Sequence, residues 1–186
     1  MAEPISDIVH DNPSWDGGGG LQGCGHSPTL ERKHNMISAQ NTKFVSLTPP
    51  AAIVDNASYT VAELDTAGYD YAVIYCYLGA TDIAMTALKV TESDTAGSGH
   101  ADVTGLVYGT SADIAGSTSA LPIDTDDNKC FAFEIDLRGR KRYLDVTATA
   151  GDGTNGTYAT LFALLSRAEG LGDTASDRGY GNILRA

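Results

Sequence analysis

The side chains that could do chemistry fall in a few short clusters. Cys24-Gly-His26, with His10 and His34 nearby, is the one group of soft metal ligands. Structural zinc needs four ligands at spacings that let them converge. Here there is one cysteine, no Cys-x-x-Cys pair and a glycine-rich frame, so no metal is expected. Asp124, Asp126, Asp127 and Asn128 form an acidic loop with the right atoms for calcium. An EF-hand loop would need a glycine in the cluster and a distal glutamate. The glycine is missing, and the glutamate position holds Ile135. A solvated turn is the expectation.

His100 beside Asp102 has the types for acid–base work, but no nucleophile is placed with it. Gly-x-Ser-x-Gly, P-loop and His-Glu-x-x-His motifs do not appear. No catalytic residue and no cofactor is expected, and the chain is expected not to be an enzyme. Tyr69, Tyr71, Tyr75 and Tyr77 form a stripe that could stack sugars. A core or subunit-interface face suits it better. Arg138, Arg140, Lys141 and Arg142 form the basic patch of an acidic chain. They either keep a turn wet, pair with acidic neighbours, or relieve repulsion between like-charged subunits.

The elements that must hold these residues follow from composition and period. The 186 residues carry a formal net charge of −12 and 42% hydrophobic residues. That acidity repels phosphate backbones, so nucleic acid is not an expected partner. The 21 glycines, with many Ala, Thr and Asp, suit short strands and frequent turns. Residues 1–7 lack a basic start and an apolar run. No secretory or membrane segment is expected, and synthesis and assembly in the cytoplasm are. Cys76 and Cys130 lie in apolar strand patterns and are expected as buried free thiols.

Residues 1–41 differ from the rest. Gly17 to Gly20 run together, prolines recur, and apolar residues have no period. Such a segment closes no core of its own. It is expected as an extended arm, reaching roughly 130 Å at about 3.3 Å per residue. Ile5, Ile8, Val9, Trp15 and Leu21 are its candidate anchors on a partner surface.

Residues 42–166 read as a β body, and 167–186 as an exposed tail. Strands are expected at 43–48, 59–64, 69–78, 84–92, 103–108 and 157–165. Residues 130–150 read as a hairpin turning at Arg138 to Lys141. Phe131, Phe133, Ile135 and Leu137 alternate with polar or small residues, as do Leu144, Val146 and Ala148. The expected fold is all-β, an antiparallel β-sandwich or jelly-roll-like body with a long N-terminal arm.

Some runs carry a resemblance. Leu64-Asp-Thr-Ala-Gly-Tyr-Asp-Tyr-Ala-Val-Ile74 leads to Leu88-Lys-Val-Thr-Glu-Ser-Asp94. Arg138-Gly-Arg-Lys-Arg-Tyr-Leu144 and the glycine-rich turn at 151–156 follow. In this order they resemble a diverse group of small tailed-bacteriophage virion proteins, over about residues 60–165. Members of that group look like capsid decoration or cement proteins. The resemblance implies a virion protein on the capsid surface, with the major capsid protein and further copies of itself, as a dimer or trimer, for partners. The arm at residues 1–40 lies outside it. A receptor- or glycan-binding module of a tail or spike, or a neck or tail component, is the competing expectation.

Overall fold

The computed structural model describes residues 41–50, 52–170, 172 and 174–184. Nine strands follow in chain order: β1 (Lys43–Ser46), β2 (Ala52–Val54), β3 (Leu64–Asp65), β4 (Tyr69–Leu78), β5 (Ala87–Ser93), β6 (Ala101–Val107), β7 (Cys130–Asp136), β8 (Tyr143–Thr149) and β9 (Thr157–Ala168). They form two sheets. Sheet A has the order β1-β9-β4-β7, with β2 also on β9, and sheet B has the order β3-β8-β5-β6. Every pairing in them is antiparallel. Among the described residues this is a sandwich-like body, with no closure into a barrel or jelly roll.

Alternation builds the core. Ala72, Ile74, Cys76 and Leu78 of β4 are almost fully buried, as are Ala159, Leu161, Ala163 and Leu165 of β9. Phe133 and Ile135 of β7 join them. From sheet B come Leu88, Val90, Leu144, Val146 and Ala148. Each strand gives one phase of its period of two to the space between the sheets. The long strand expected at 69–78 is the central strand β4, and β9 extends three residues beyond its expected end.

The expected hairpin is not formed. Its two strands exist, but they lie in different sheets. Asp136 of β7 pairs with Tyr71, while Tyr143 of β8 pairs with Asp65 and Ser93. Residues 137–142 therefore arch from one sheet to the other. Buried Leu137 enters the arch, and the Arg140 N–H donates to the Leu137 carbonyl at 2.9 Å. Gly139, at φ 87°, makes the bend. The pattern misled for a physical reason. Alternation reports which face is buried, not which strand is the neighbour. A hairpin and an arch both leave Phe133, Ile135, Leu144 and Val146 inward.

Other differences are smaller. The strand expected at 59–64 shrinks to Leu64–Asp65, and β2 forms where two prolines argued for a stop. Cys76 is buried, but Cys130 is exposed. Cys130 lies opposite Tyr77 and shares its outward phase. The tail is not simply exposed. Arg178 is buried, and its carbonyl accepts the Phe44 N–H at 2.9 Å. Gly179, at φ 75°, lies so close that a Cβ there would fall 1.7 Å from the Phe44 carbonyl oxygen. The tail thus covers part of the edge strand β1, whose outward backbone groups would otherwise be unpaired.

Candidate interaction surface

A sandwich sheet normally sends its second phase into water with polar residues. Sheet B does so. Its outward positions include Lys89 opposite Thr147, and Asp145 two residues before Thr147 on β8. Sheet A does not. Its central strand β4 sends out Tyr69, Tyr71, Val73, Tyr75 and Tyr77. Its neighbour β9 sends out Tyr158, Thr160, Phe162 and Leu164. Phe44 of β1 lies opposite Leu164, and Ile53 of β2 lies opposite Tyr158.

These side chains pack sideways into one layer. The Phe44 and Phe162 rings lie 5.5 Å apart, Tyr75 and Phe162 stack at 5.1 Å, and Tyr180 of the tail stacks on Phe44 at 5.8 Å. An aromatic band therefore crosses from the tail over β1 and β9 to β4. Beyond it, Ile53, Tyr77 and Tyr158 are 47%, 46% and 39% exposed, which leaves an apolar corner bare to solvent. A contiguous apolar patch on a folded surface marks a contact site.

Charge on this face is sparse. On β7 the outward phase runs Cys130, Ala132, Glu134, Asp136. Arg138 neutralises Asp136 through bonds of 2.9 and 2.7 Å and also donates to the Tyr71 hydroxyl at 2.7 Å. The Arg138 and Arg167 guanidiniums lie 5.2 and 4.6 Å from the Tyr71 ring centre. Cation–π attraction of this kind is worth about 0.5–1 kcal/mol at an exposed site. Arg167 is held there with φ 53°, an uncommon backbone state for a residue with a side chain.

The basic residues of the expected hairpin tip sit on the arch. Each has an acidic partner in its own chain. Arg138 pairs with Asp136, Arg140 with Glu92 at 3.6 Å, Lys141 with Asp94 at 3.7 Å and Arg142 with Asp65 at 2.7 Å. These pairs tie the arch to both sheets. The Arg138 hydrogen bonds hold the Asp136 carboxyl down at about 2. Arg142 lowers Asp65, and the backbone N–H groups of Asn155 and Thr154 lower Asp82. Carboxyls with depressed folded values stabilise the fold above the unfolded value near pH 4. That contribution is lost as pH falls toward 2. The denaturation midpoint of the protein is therefore expected to fall between pH 4 and pH 2. Asp136→Asn should lower the midpoint at pH 7 and flatten its acid dependence, as denaturant titrations at both pH values would show.

The remaining clusters do not converge. His100 Nε2 lies 3.0 Å from Glu63, while Asp102 pairs with Lys89. The expected His100–Asp102 pair is thus not formed. In the acidic loop, Asp126 binds Lys129 and the Ile123 N–H, and Asp127 accepts the Thr81 N–H. These carboxylates fasten the loop. Among the described residues no three His, Cys, Asp or Glu side chains gather as metal ligands. A cleft of about 430 Å³ lies between β6, the loop after it and the outer edge of β7. The Tyr108 hydroxyl spans it, donating to the Ala132 carbonyl and accepting from the Ala132 N–H. No helix among the described residues is long and apolar enough to cross a membrane.

The arm anchors Ile5, Ile8, Val9, Trp15 and Leu21, and the ligand cluster of His10, Cys24, His26 and His34, lie outside the described residues. The tyrosine stripe read in the sequence as a core or subunit-interface face. Phe44, Phe162, Leu164, Glu134 and Arg167 were not singled out. The signal that could have found Phe162 and Leu164 is that β9 is apolar in both phases.

No known protein family matches the chain, and no curated protein matches it. Two solved structures are similar to it. One is the SPBc2 prophage-derived protein YomS, 10% identical, with a TM-score of 0.39, covering 67% of this chain and 91% of that one. The other is a chain of black queen cell virus, 10% identical, with a TM-score of 0.32, covering 100% of this chain and 95% of that one. Likeness of this degree carries no function across.

Proposed function

We propose that this chain is a structural protein of a bacteriophage particle that binds the outer surface of the capsid and stabilises it, as a cement or decoration protein does. The observation that carries this reading is the outer face of sheet A, which marks the body as one part of a larger protein assembly, with the arm as the segment that grips the capsid. A sandwich that keeps an aromatic, nearly uncharged layer facing solvent is organised for contact with another surface. The resemblance of residues 60–165 to small virion proteins supports the particle as the setting. The major capsid protein is the proposed partner.

In this reading the body is a rigid foot and residues 1–41 reach across neighbouring capsid subunits. Apolar anchors such as Trp15 and Ile8 bury there, and extended backbone pairs with exposed edges. At about 25 cal/mol per Å², roughly 1,000 Å² of apolar burial yields about 25 kcal/mol before the entropy of ordering is subtracted. Many copies acting together then resist internal pressure.

Electron microscopy of particles assembled with and without this chain tests the proposal. Density for the two-sheet body on the outside of the shell, absent without the chain, is the expected result. Density confined to the neck, tail or a spike would overturn the capsid assignment. A spike position would favour the receptor or glycan reading, for which exposed Tyr77 and Tyr158 are the available stacking rings.

A further inference from the structure

We infer that the outer face of sheet A pairs two copies of this chain face to face, about a two-fold axis running along β4. The inference rests on reading this face as a contact surface, and not on the capsid assignment.

The registers make the face self-complementary. Val73 of β4 lies opposite Leu164 of β9 on one side and Glu134 of β7 on the other. A two-fold axis along β4 lays the β7 of one copy over the β9 of its partner. Glu134 then stands above the row of Leu164. Arg167 lies three residues further along β9, about 10 Å at 3.3 Å per residue. Face-to-face sheets lie about 10 Å apart, so the two Cα atoms are roughly 14 Å apart, a span that an extended glutamate and arginine close together. Glu134 and Arg167 are both exposed, and neither forms an ion pair with a residue of its own chain among the described residues. The symmetry makes the contact twice, as an isologous interface requires.

Size and charge fit a second copy. The ten residues of β4 span roughly 33 Å, and the three strands that overlap about this axis, β9, β4 and β7, cover roughly 14 Å at about 4.8 Å each. That outlines roughly 470 Å² per copy before side-chain relief, below the ~800 Å² per partner of a standard stable interface and in the range of a weak, concentration-dependent dimer. Two chains of net charge −12 repel one another over most of their surfaces. This face, with Asp136 neutralised and Glu134 matched by Arg167, is where they can approach. Tyr75 and Phe162 of the aromatic band lie within the overlap and supply its apolar centre.

The test uses the full chain carrying Cys24→Ser, which leaves Cys130 as the exposed thiol on the face. Light scattering across a concentration series should show monomer passing to dimer, and Cys130 should react more slowly with a thiol reagent in the dimer. Glu134→Arg and Arg167→Glu should each weaken dimerisation about tenfold or more. The double variant should recover most of that loss, because the reversed charges face each other again. Circular dichroism checks that each variant is folded. A monomer at every concentration overturns the inference, and so does a dimer indifferent to both reversals. A Cys130 protected only when capsid shells are added also overturns it, and assigns the face to the capsid. A dimer that forms but binds no capsid leaves this inference standing and defeats the proposed function.

Discussion

A chain lacking residues 2–40 is expected to lose capsid binding while its body stays folded. The two parts of that outcome have separate causes. All nine strands and the core of the body lie between Lys43 and Ala168. Leu47, Leu64, Ile74, Leu161 and their neighbours bury one another. Capsid affinity has a different source in the proposed function, namely the apolar anchors Ile5, Ile8, Val9, Trp15 and Leu21. Removing every anchor removes the largest apolar contribution to binding. Each tenfold loss in affinity corresponds to about 1.4 kcal/mol, so a deficit of several anchors takes binding out of the measurable range. Co-sedimentation with capsid shells reads the binding, and a cooperative unfolding transition reads the fold. Full binding by the truncated chain would sink the role given to the arm.

Replacing Leu161 by alanine should cost the body about 3–4 kcal/mol. Leu161 is fully buried in β9, lies opposite Cys76 on the central strand β4, and packs in the space between the sheets. Truncation forfeits the transfer free energy of the lost carbons and leaves a cavity that antiparallel strands on both sides cannot close. For a domain of this size the melting temperature should drop by about 10 °C. Leu184→Ala is the matched control, because Leu184 is 94% exposed and should shift stability by less than about 0.5 kcal/mol. Equal effects at the two positions would mean that the assignment of β9 to the core is wrong.

Much of this body was legible in its alternation. The inward set of β4, from Ala72 to Leu78, and that of β9, from Ala159 to Leu165, stand out because each strand places small or large apolar residues at every second position. The tyrosine stripe of β4 read as a core or subunit-interface face, and the structure turns it outward. What alternation does not encode is the partner of each strand. The segment from Cys130 to Ala150 therefore read as a hairpin, although its halves belong to different sheets. Tertiary pairing also decided the acidic partners of the arch. Asp65, Glu92 and Asp94 lie 77, 48 and 47 residues from the cations they meet, which no local pattern reports.

Other misreadings share this cause. Cys130 sits in an apolar run yet faces solvent, because its phase is that of Tyr77. The segment around Arg178 has no strand pattern, yet it docks on β1 through its backbone and through Gly179, which alone leaves room for the Phe44 carbonyl. The interaction surface emerges when β9 and β1 are laid beside β4. Phe162 and Leu164 then become parts of one layer, and Glu134 and Arg167 become facing charges on either side of it. Residues 1–40 differ in composition and read as an arm, and they lie outside the described residues.

In the proposed function the protein works by binding a capsid surface. Titrating the purified full-length protein onto shells that lack it tests this most directly, with bound copies counted per particle. Saturable binding is expected at a copy number set by the symmetry of the shell, with a higher temperature of shell disruption at saturation. Folded protein that stays in solution at every concentration, with shells no more stable than before, would contradict it.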